Sequence, residues 1–358
     1  MAGVRIRVDA DIARAQALPG AAYRSTELHA RLVERVLATS WQLTPDASLV
    51  PAGTVLPFTL LPGCLDEPLL LTRDAAERLR CLSNVCTHRG ALLCQAAGAT
   101  ATLRCRYHGR RFALDGRLTH APGFEGVLDF PAARDHLPSL PCASLGPLTL
   151  TSLAPAFAAE ELLAPLRARL GHLPLSSLTL DPESVRDYEV AANWMLYVDN
   201  YLEGLHIPFV HPALAQALDF GAYRTELDAR GSVQIGVATD GEDSFPGSDV
   251  AAWYCWLYPN LMLNFYPWGL SLNVVTPLAV DRTRVHYRSY VLDEARRRRG
   301  AGGDLDRVER EDEAVIESVQ RGVGARLYGR GRYSPARETG VHHFHRLLAA
   351  ALGDDDVA

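Results

Sequence analysis

The chain has 358 residues, with 36 basic side chains against 42 acidic ones and a formal net charge of −6, and every basic residue is arginine. That mild acidity argues against a nucleic-acid or anionic-membrane binder, which carries a clustered basic surplus. The missing lysine removes Schiff-base chemistry and P-loop phosphate binding.

At this length two domains are the natural expectation. The N-terminal MAGVRIRVDADIARAQ lacks the apolar core of a secretion signal, and no window approaches 18 consecutive apolar residues. A cytoplasmic location is therefore expected, where thiols stay reduced and cysteines serve more often as metal ligands than as bridges. Leu28, Leu32, Val33 and Val36 at helical spacing predict a helix over 26–38, within an N-terminal segment 1–40 that packs on the C-terminal domain. From Trp41 to Pro147 the texture changes to short apolar runs broken by Pro and Gly, as in VLPFTLLPG, which predicts a small all-β domain over 41–147. The Pro/Leu/Ala-rich passage Pro147–Pro174 reads as the junction, and 148–358 as the second domain. Within it a helical stretch near 193–206 precedes aromatic-rich strands from 253 to 291 and helical segments near 305–322 and 340–352. The run Arg296–Arg299 reads as an exposed loop, and the His342-His343-Phe344-His345 tract as packing or surface.

Two constellations carry chemistry. The first is Cys86-Thr87-His88 followed by Cys105-Arg106-Tyr107-His108, two thiolates and two imidazoles on two tight loops. Zinc could use the same four ligands, although structural zinc loops usually leave two to four residues between ligands. Asp115-Gly116 reads as a hairpin turn beyond them. Cys64, Cys81, Cys94, Cys142 and Cys255 have no partner pattern and are expected as buried thiols.

The second is NWMLYVDNYLEGLHIPFVHP over 193–212. His206 and His211 are about 140° apart around an ideal helix, so an unbroken helix would not aim both at one ion. Pro208 between them is expected to break the helix and let His211 swing back. Glu203, three residues before His206, falls on the same face. In the segment 305–322, Val308, Val315, Ile316 and Val319 form an apolar stripe; Asp312 lies within roughly 20° of its centre, and Glu309, Glu311 and Glu313 some 75–115° away. An acid in a core stripe is costly unless it meets a metal or a partner charge, so Asp312 is the third-ligand candidate, Glu311 the alternative, and an arginine pairing the plain reading. Two imidazoles and one carboxylate on one side of an iron form the facial triad of non-haem Fe(II) oxygenases.

The C-x-H…C-x-x-H pattern resembles the Rieske motif, in which two cysteines hold one iron of a [2Fe–2S] cluster and two histidines the other. The run N-x-x-E-x-x-H-x-x-x-x-H resembles the mononuclear iron motif of Rieske oxygenase α subunits, and Glu311, Asp312, Gln320 and Gly322 the part of that family that carries the carboxylate ligand. One departure is Arg110, where many oxygenases have Trp. The resemblance implies an α+β chain: an all-β Rieske domain with Cys86, His88, Cys105 and His108 on the cluster, then a helix-grip domain, an antiparallel sheet around a long helix, with His206, His211 and Asp312 on the iron. It further implies a homotrimer in which Glu203 bridges one subunit's iron to His108 of the next, with the longer Glu closer to quaternary-amine monooxygenases than the Asp of many ring dioxygenases.

The chain carries no G-x-G-x-x-G fingerprint and no plant-type ferredoxin run, so NAD(P)H oxidation falls to a separate reductase partner, with or without a ferredoxin. The expected activity is O2-dependent hydroxylation or demethylation of a small organic molecule, a quaternary amine or an aromatic ring. Seven aromatics between Trp253 and Trp268 read as sheet core, with some of them lining the pocket as the sharper alternative. Two other classes stay open: a Rieske electron carrier with an inert second domain, and a metal-free helix-grip binding protein.

Overall fold

The computed structural model describes residues 3–297 and 299–354. The chain divides into two units, Trp41–Pro155 on one hand and the flanking Met1–Ser40 with Ala156–Ala358 on the other. The second boundary falls at 155/156 rather than at 147/148. The reason is that Leu148–Thr151 is a central strand, pairing with Gln42–Leu43 on one side and Cys142–Leu145 on the other.

In the 41–155 unit a five-stranded antiparallel sheet is built on the hairpin Thr54–Leu60/Glu67–Arg73 and the strand Leu79–Ser83. A three-stranded sheet follows, Leu103–Arg104, Arg111–Phe112 and Leu118–His120, with the expected turn at Asp115-Gly116, where Gly116 takes φ +87. Val55, Leu70, Leu82, Leu103 and Phe112 form the core, and Cys86 and Cys105 close it from the loop end. All seven cysteines are free, but burial is uneven: Cys81 and Cys255 are buried, Cys64 and Cys94 half-buried and Cys142 exposed, so those last three depart from the buried thiols expected.

The other unit opens with α1 (Thr26–Leu32), capped by Ser25, whose hydroxyl accepts from Leu28 N–H. A single π turn, Val33–Leu37, continues it. The Pro/Leu/Ala-rich passage read as the junction contains α2 (Glu160–Leu170), whose Leu162, Leu163, Leu166 and Leu170 are buried. A seven-stranded antiparallel sheet follows, ordered Thr179–Val190, Arg282–Val291, Gly269–Ala279, Leu261–Tyr266, Val250–Leu257, Gly231–Val237, Arg224–Asp228. The strands at its centre are buried along their whole length. Side chains alternate between two covered faces: Trp253 meets Phe245 and His172 on one face, while Trp256 meets Phe344 on the other. This double cover explains why the strands read as continuous apolar and aromatic runs.

Against that second face lie α3 (Trp194–Tyr201) and α6 (Leu305–Gly322), packed on each other. Asn193 caps α3 by accepting from Met195 N–H, and its own N–H donates to Gln320 of α6 at 2.9 Å. Along the chain, α3 is followed by two short helices, α4 (Ile207–Val210) and α5 (Pro212–Ala217), before the strand Arg224–Asp228. The C-terminal α7 (Thr339–Leu352) carries the histidine tract in packing roles, as expected: His342 and His343 contact the carbonyls of Asp9 and Asp228, and His345 is buried beside Asp199. In the arginine run, expected as an exposed loop, Arg296 and Arg297 are half-buried and pair with Asp243 and Asp181, while Arg299 is exposed; Arg298 lies outside the described residues. Among the described residues no helix is long and apolar enough to cross a membrane.

Candidate metal centres and active-site cavity

The two cysteine loops of the β unit repeat one hydrogen-bond pattern. Cys86 N–H donates to the Ala91 carbonyl and Gly90 N–H to the Cys86 carbonyl; likewise Cys105 N–H donates to Arg110 and Gly109 N–H to Cys105. The closing glycines take φ +72 and +76, a region that side chains with a Cβ rarely adopt. The loops bring the His88 and His108 rings to 4.7 Å between centroids. His88 Nδ1 is buried with no hydrogen-bond partner, an orphaned donor atom that suits a metal ligand. Burial works against ionising Cys105, but backbone N–H groups of His108 and Tyr107 and the Cys86 thiol hold it below the ordinary thiol value. Cys86 is pushed up, chiefly by burial. Two sulfurs and two imidazoles facing each other fit a Rieske cluster.

Arg110 sits in this site rather than at the surface. It is 3% exposed, lies 4.4 Å from the Phe124 ring centroid and reaches the Thr87 hydroxyl at 3.3 Å. Partial burial first, then the charges of Arg110, His108 and Arg89, hold His88 below its ordinary pKa.

In the second unit the chain leaves α3 at Tyr201, earlier than expected, and turns through Glu203-Gly204-Leu205. A Cβ on Gly204 would stand 2.5 Å from the Tyr223 ring, so the turn needs glycine. The break therefore precedes His206, and Pro208 does not make it. Pro208 instead occupies the first turn of α4, where a missing N–H costs nothing, with His206 and His211 as the residues flanking that helix. This places the two rings 5.1 Å apart and nearly perpendicular.

Both rings turn Nε2 towards Asp312 of α6. Its Oδ1 lies 3.0 Å from His211 Nε2 and 3.6 Å from His206 Nε2, and one ligand atom from each of the three residues fits within 4.8 Å. Asn200 Nδ2 donates to the same oxygen at 2.7 Å. Each ring is held from behind by a glutamate: Glu203 Oε1 lies 2.6 Å from His206 Nδ1, and Glu311 Oε2 2.8 Å from His211 Nδ1. Glu203 also accepts from the N–H groups of Leu205 and His206. Burial opposes a charged His211, yet Asp312 and Glu311 hold its pKa above the ordinary value. A donor set of two imidazoles and a carboxylate, with the far nitrogens fixed by acids, fits a mononuclear iron.

The three ligand candidates stand at one end of a cavity lined by five tyrosines: Tyr197 and Tyr201 of α3, Tyr223, and Tyr254 and Tyr266 of the sheet. Of the seven aromatics between Trp253 and Trp268, those last two line it and the rest are core. A polar row crosses the sheet beneath: Gln234, Tyr254, Asn264 and Ser271 are register partners on adjacent strands and all face the cavity. The sequence reading missed Glu309. The inward face of α6 centres on Glu309, Asp312 and Ile316, whereas Val319 is 41% exposed. The apolar stripe misplaced that face because α6 closes a polar cavity.

Residues 40–133 match the family described as Rieske [2Fe-2S] domain, and residues 178–354 that described as Ring hydroxylating alpha subunit (catalytic domain). The chain is 31% identical over 347 residues to the carnitine monooxygenase oxygenase subunit of Escherichia coli (strain K12), with 90% of each chain covered. It is 31% identical over 355 residues to the chloroplastic choline monooxygenase of Arabidopsis thaliana, covering 94% of this chain and 82% of that one. A solved quaternary ammonium Rieske monooxygenase, described for carnitine oxidation and inter-subunit electron transfer, superposes with a TM-score of 0.76 at 25% identity, covering 94% and 95% of the two chains. The naphthalene 1,2-dioxygenase of a Rhodococcus sp. shares the fold, with a TM-score of 0.71 at 19% identity over 93% of each chain. The chain belongs to the Rieske non-haem iron oxygenases, as an α subunit. Its cofactors are a Rieske [2Fe–2S] cluster and a mononuclear iron, and it uses O2 and electrons from a separate reductase to oxidise a small organic substrate.

Proposed function

We propose that this chain is the oxygenase subunit of a monooxygenase acting on a quaternary amine. The observation that carries the reading is the cavity: five tyrosine rings and several carboxylates line it, and no arginine among the described residues does. Aromatic faces and acids attract a trimethylammonium group, and the relatives named for choline and carnitine share the chain nearly end to end. Ring dioxygenation draws support from the description of the matched catalytic-domain family and from a likeness of fold at 19% identity.

In this reading Cys86, His88, Cys105 and His108 hold the cluster, and His206, His211 and Asp312 hold the iron. The chemistry those centres supply when bound is delivery of single electrons and reductive activation of O2. The chain's own residues do the rest. Glu203 and Glu311 fix the ring orientation of His206 and His211. The tyrosine walls seat the substrate and keep water out. Glu203 also relays between subunits of a homotrimer, bridging to the partner subunit's His108. Two exposed apolar patches suit such an assembly: Leu205 and Phe209, 81% exposed, beside the iron ligands, and Leu92, Tyr107 and Leu128 around the cluster loops. A cytoplasmic setting keeps the thiols reduced and the reductase at hand.

The test is O2 uptake with product analysis in the presence of a reductase, comparing choline, carnitine and glycine betaine with aromatic acids. Uptake coupled to an oxidised or demethylated amine is expected. Coupled turnover of an aromatic acid with the amines inert would overturn the reading.

A further inference from the structure

Glu309 is 9% exposed and lines the cavity one helical turn before Asp312. Its carboxylate is held by two neutral donors, Tyr197 OH to Oε2 at 2.5 Å and Asn273 Nδ2 to Oε1 at 2.7 Å. No arginine or histidine among the described residues forms an ion pair with it, and the chain has no lysine. The other cavity acids are engaged: Asp312 faces both ligand imidazoles, and Glu203 holds His206. Of the acids that line the cavity, Glu309 is thus the one without a cationic or imidazole partner among the described residues, an arrangement that is costly in a buried acid unless a proton or a ligand supplies the missing charge.

We propose that Glu309 is the specificity-determining anchor of the cavity, a carboxylate that pairs with the substrate's ammonium while the tyrosine rings enclose its methyl groups. The proposal rests on the quaternary-amine reading and assigns its recognition to one residue. The geometry suits it. Three residues along a helix are about 4.5 Å apart in rise, so a cation held by Glu309 keeps its N-methyl groups within reach of the metal end of the cavity. Tyr197 and Asn273 fix the carboxylate in place, so little ordering is needed when the ligand arrives. Burial pushes the Glu309 pKa up to about 7, with Asp312 and Glu313 adding to it and the two hydrogen bonds opposing. An incoming cation therefore displaces a proton or meets a bare charge, and a neutral analogue gains nothing from either.

The experiment is calorimetric binding to the metal-loaded protein under anaerobic conditions without reductase. Choline, glycine betaine and carnitine are each compared with the analogue in which C(CH3)3 replaces N(CH3)3+. The wild type should prefer the ammonium member of at least one pair by about tenfold or more, and Glu309→Gln, which preserves size and hydrogen-bonding capacity, should bring the two members within about twofold. The cluster absorption spectrum reports that the variant is folded. A preference that survives in Glu309→Gln overturns the anchor and leaves the quaternary-amine reading standing, with the rings alone selecting the cation. A wild type that binds both members of every pair equally overturns the anchor without any variant. A wild type that binds no member of any pair overturns both.

Discussion

Glu311 Oε2 and His211 Nδ1 lie 2.8 Å apart, on the side of the imidazole away from Asp312, and Arg307 Nε holds the other Glu311 oxygen at 2.8 Å. Adjacent acids on α6 thus take different positions: Asp312 faces the Nε2 atoms of the two proposed ligand imidazoles, and Glu311 holds the Nδ1 of one of them. Such partners of a ligand histidine typically change metal affinity about 10–100-fold.

Asp312→Ala is accordingly expected to lose the mononuclear iron while keeping cluster iron and acid-labile sulfide. Glu311→Gln should retain that iron with affinity weakened roughly 10–100-fold. Metal analysis after dialysis against graded chelator separates them. If Glu311→Gln loses iron outright and Asp312→Ala keeps it, the assignments are reversed. The pH dependence has a fixed sign. Asp312 and Glu311 hold His211 above its ordinary pKa, so below that pKa metal must displace a proton, and iron affinity should rise with pH through that range.

Glu203→Gln should leave the cluster spectrum intact, and with iron supplied in excess the mononuclear site should still fill, although its affinity should weaken as in Glu311→Gln because each acid holds an imidazole Nδ1. Turnover should stop, read as failure of the reduced cluster to reoxidise on adding substrate and O2. Wild-type reoxidation would remove Glu203 from the relay. A mixing experiment tests the proposed subunit crossing. Chains with a proposed cluster ligand removed (Cys86→Ser) and chains with the proposed iron ligand removed (Asp312→Ala) should each be inactive, and co-assembly should restore turnover. Continued inactivity in verified mixed oligomers would place electron transfer within one subunit.

Arg110 carries a buried positive charge into the cluster site, stacked on Phe124. A nearby cation favours the reduced cluster, and cluster potentials respond to local charge. Arg110→Gln should therefore lower the reduction potential by tens of millivolts and raise the pKa of His88, on which the guanidinium acts. Spectroelectrochemistry across a pH series reads both. An unchanged or higher potential would show that the charge is screened from the cluster.

How much of this was legible in the sequence follows from how local each feature is. The proposed cluster ligands sit on two short loops whose spacing is a property of the chain itself, so Cys86, His88, Cys105 and His108 could be paired without a fold. His206 and His211 were legible as a pair, but the break that orients them was misplaced at Pro208. The cause is the close approach of Gly204 to Tyr223, a contact between residues that only the fold brings together. The domain boundary failed for a similar reason: Leu148–Thr151 reads as junction until its partner strands are known. Glu309 was hidden because an apolar stripe locates the inward face of a helix only where the helix covers an apolar core. Polar residues inside apolar strands, Asn264 and Asn273, were the available sign that α6 faces a cavity.

The same Glu309 makes a prediction about stability. Its pKa is pushed up to about 7 in the folded chain, mainly by burial, against an ordinary carboxylate value near 4.3 in the unfolded chain. Between those values the folded state binds a proton that the unfolded state does not, so stability falls as pH rises. With the mononuclear site emptied by chelation, the melting temperature should decline between about pH 5 and 7, beyond the drift seen in Glu309→Gln. Across that range the wild type should lose roughly 2 kcal/mol relative to the variant. Saturating trimethylammonium ligand should flatten the slope by stabilising the ionised form. Parallel melting curves for the two proteins over this range would show that Glu309 is already ionised in the folded chain, and would sink the prediction.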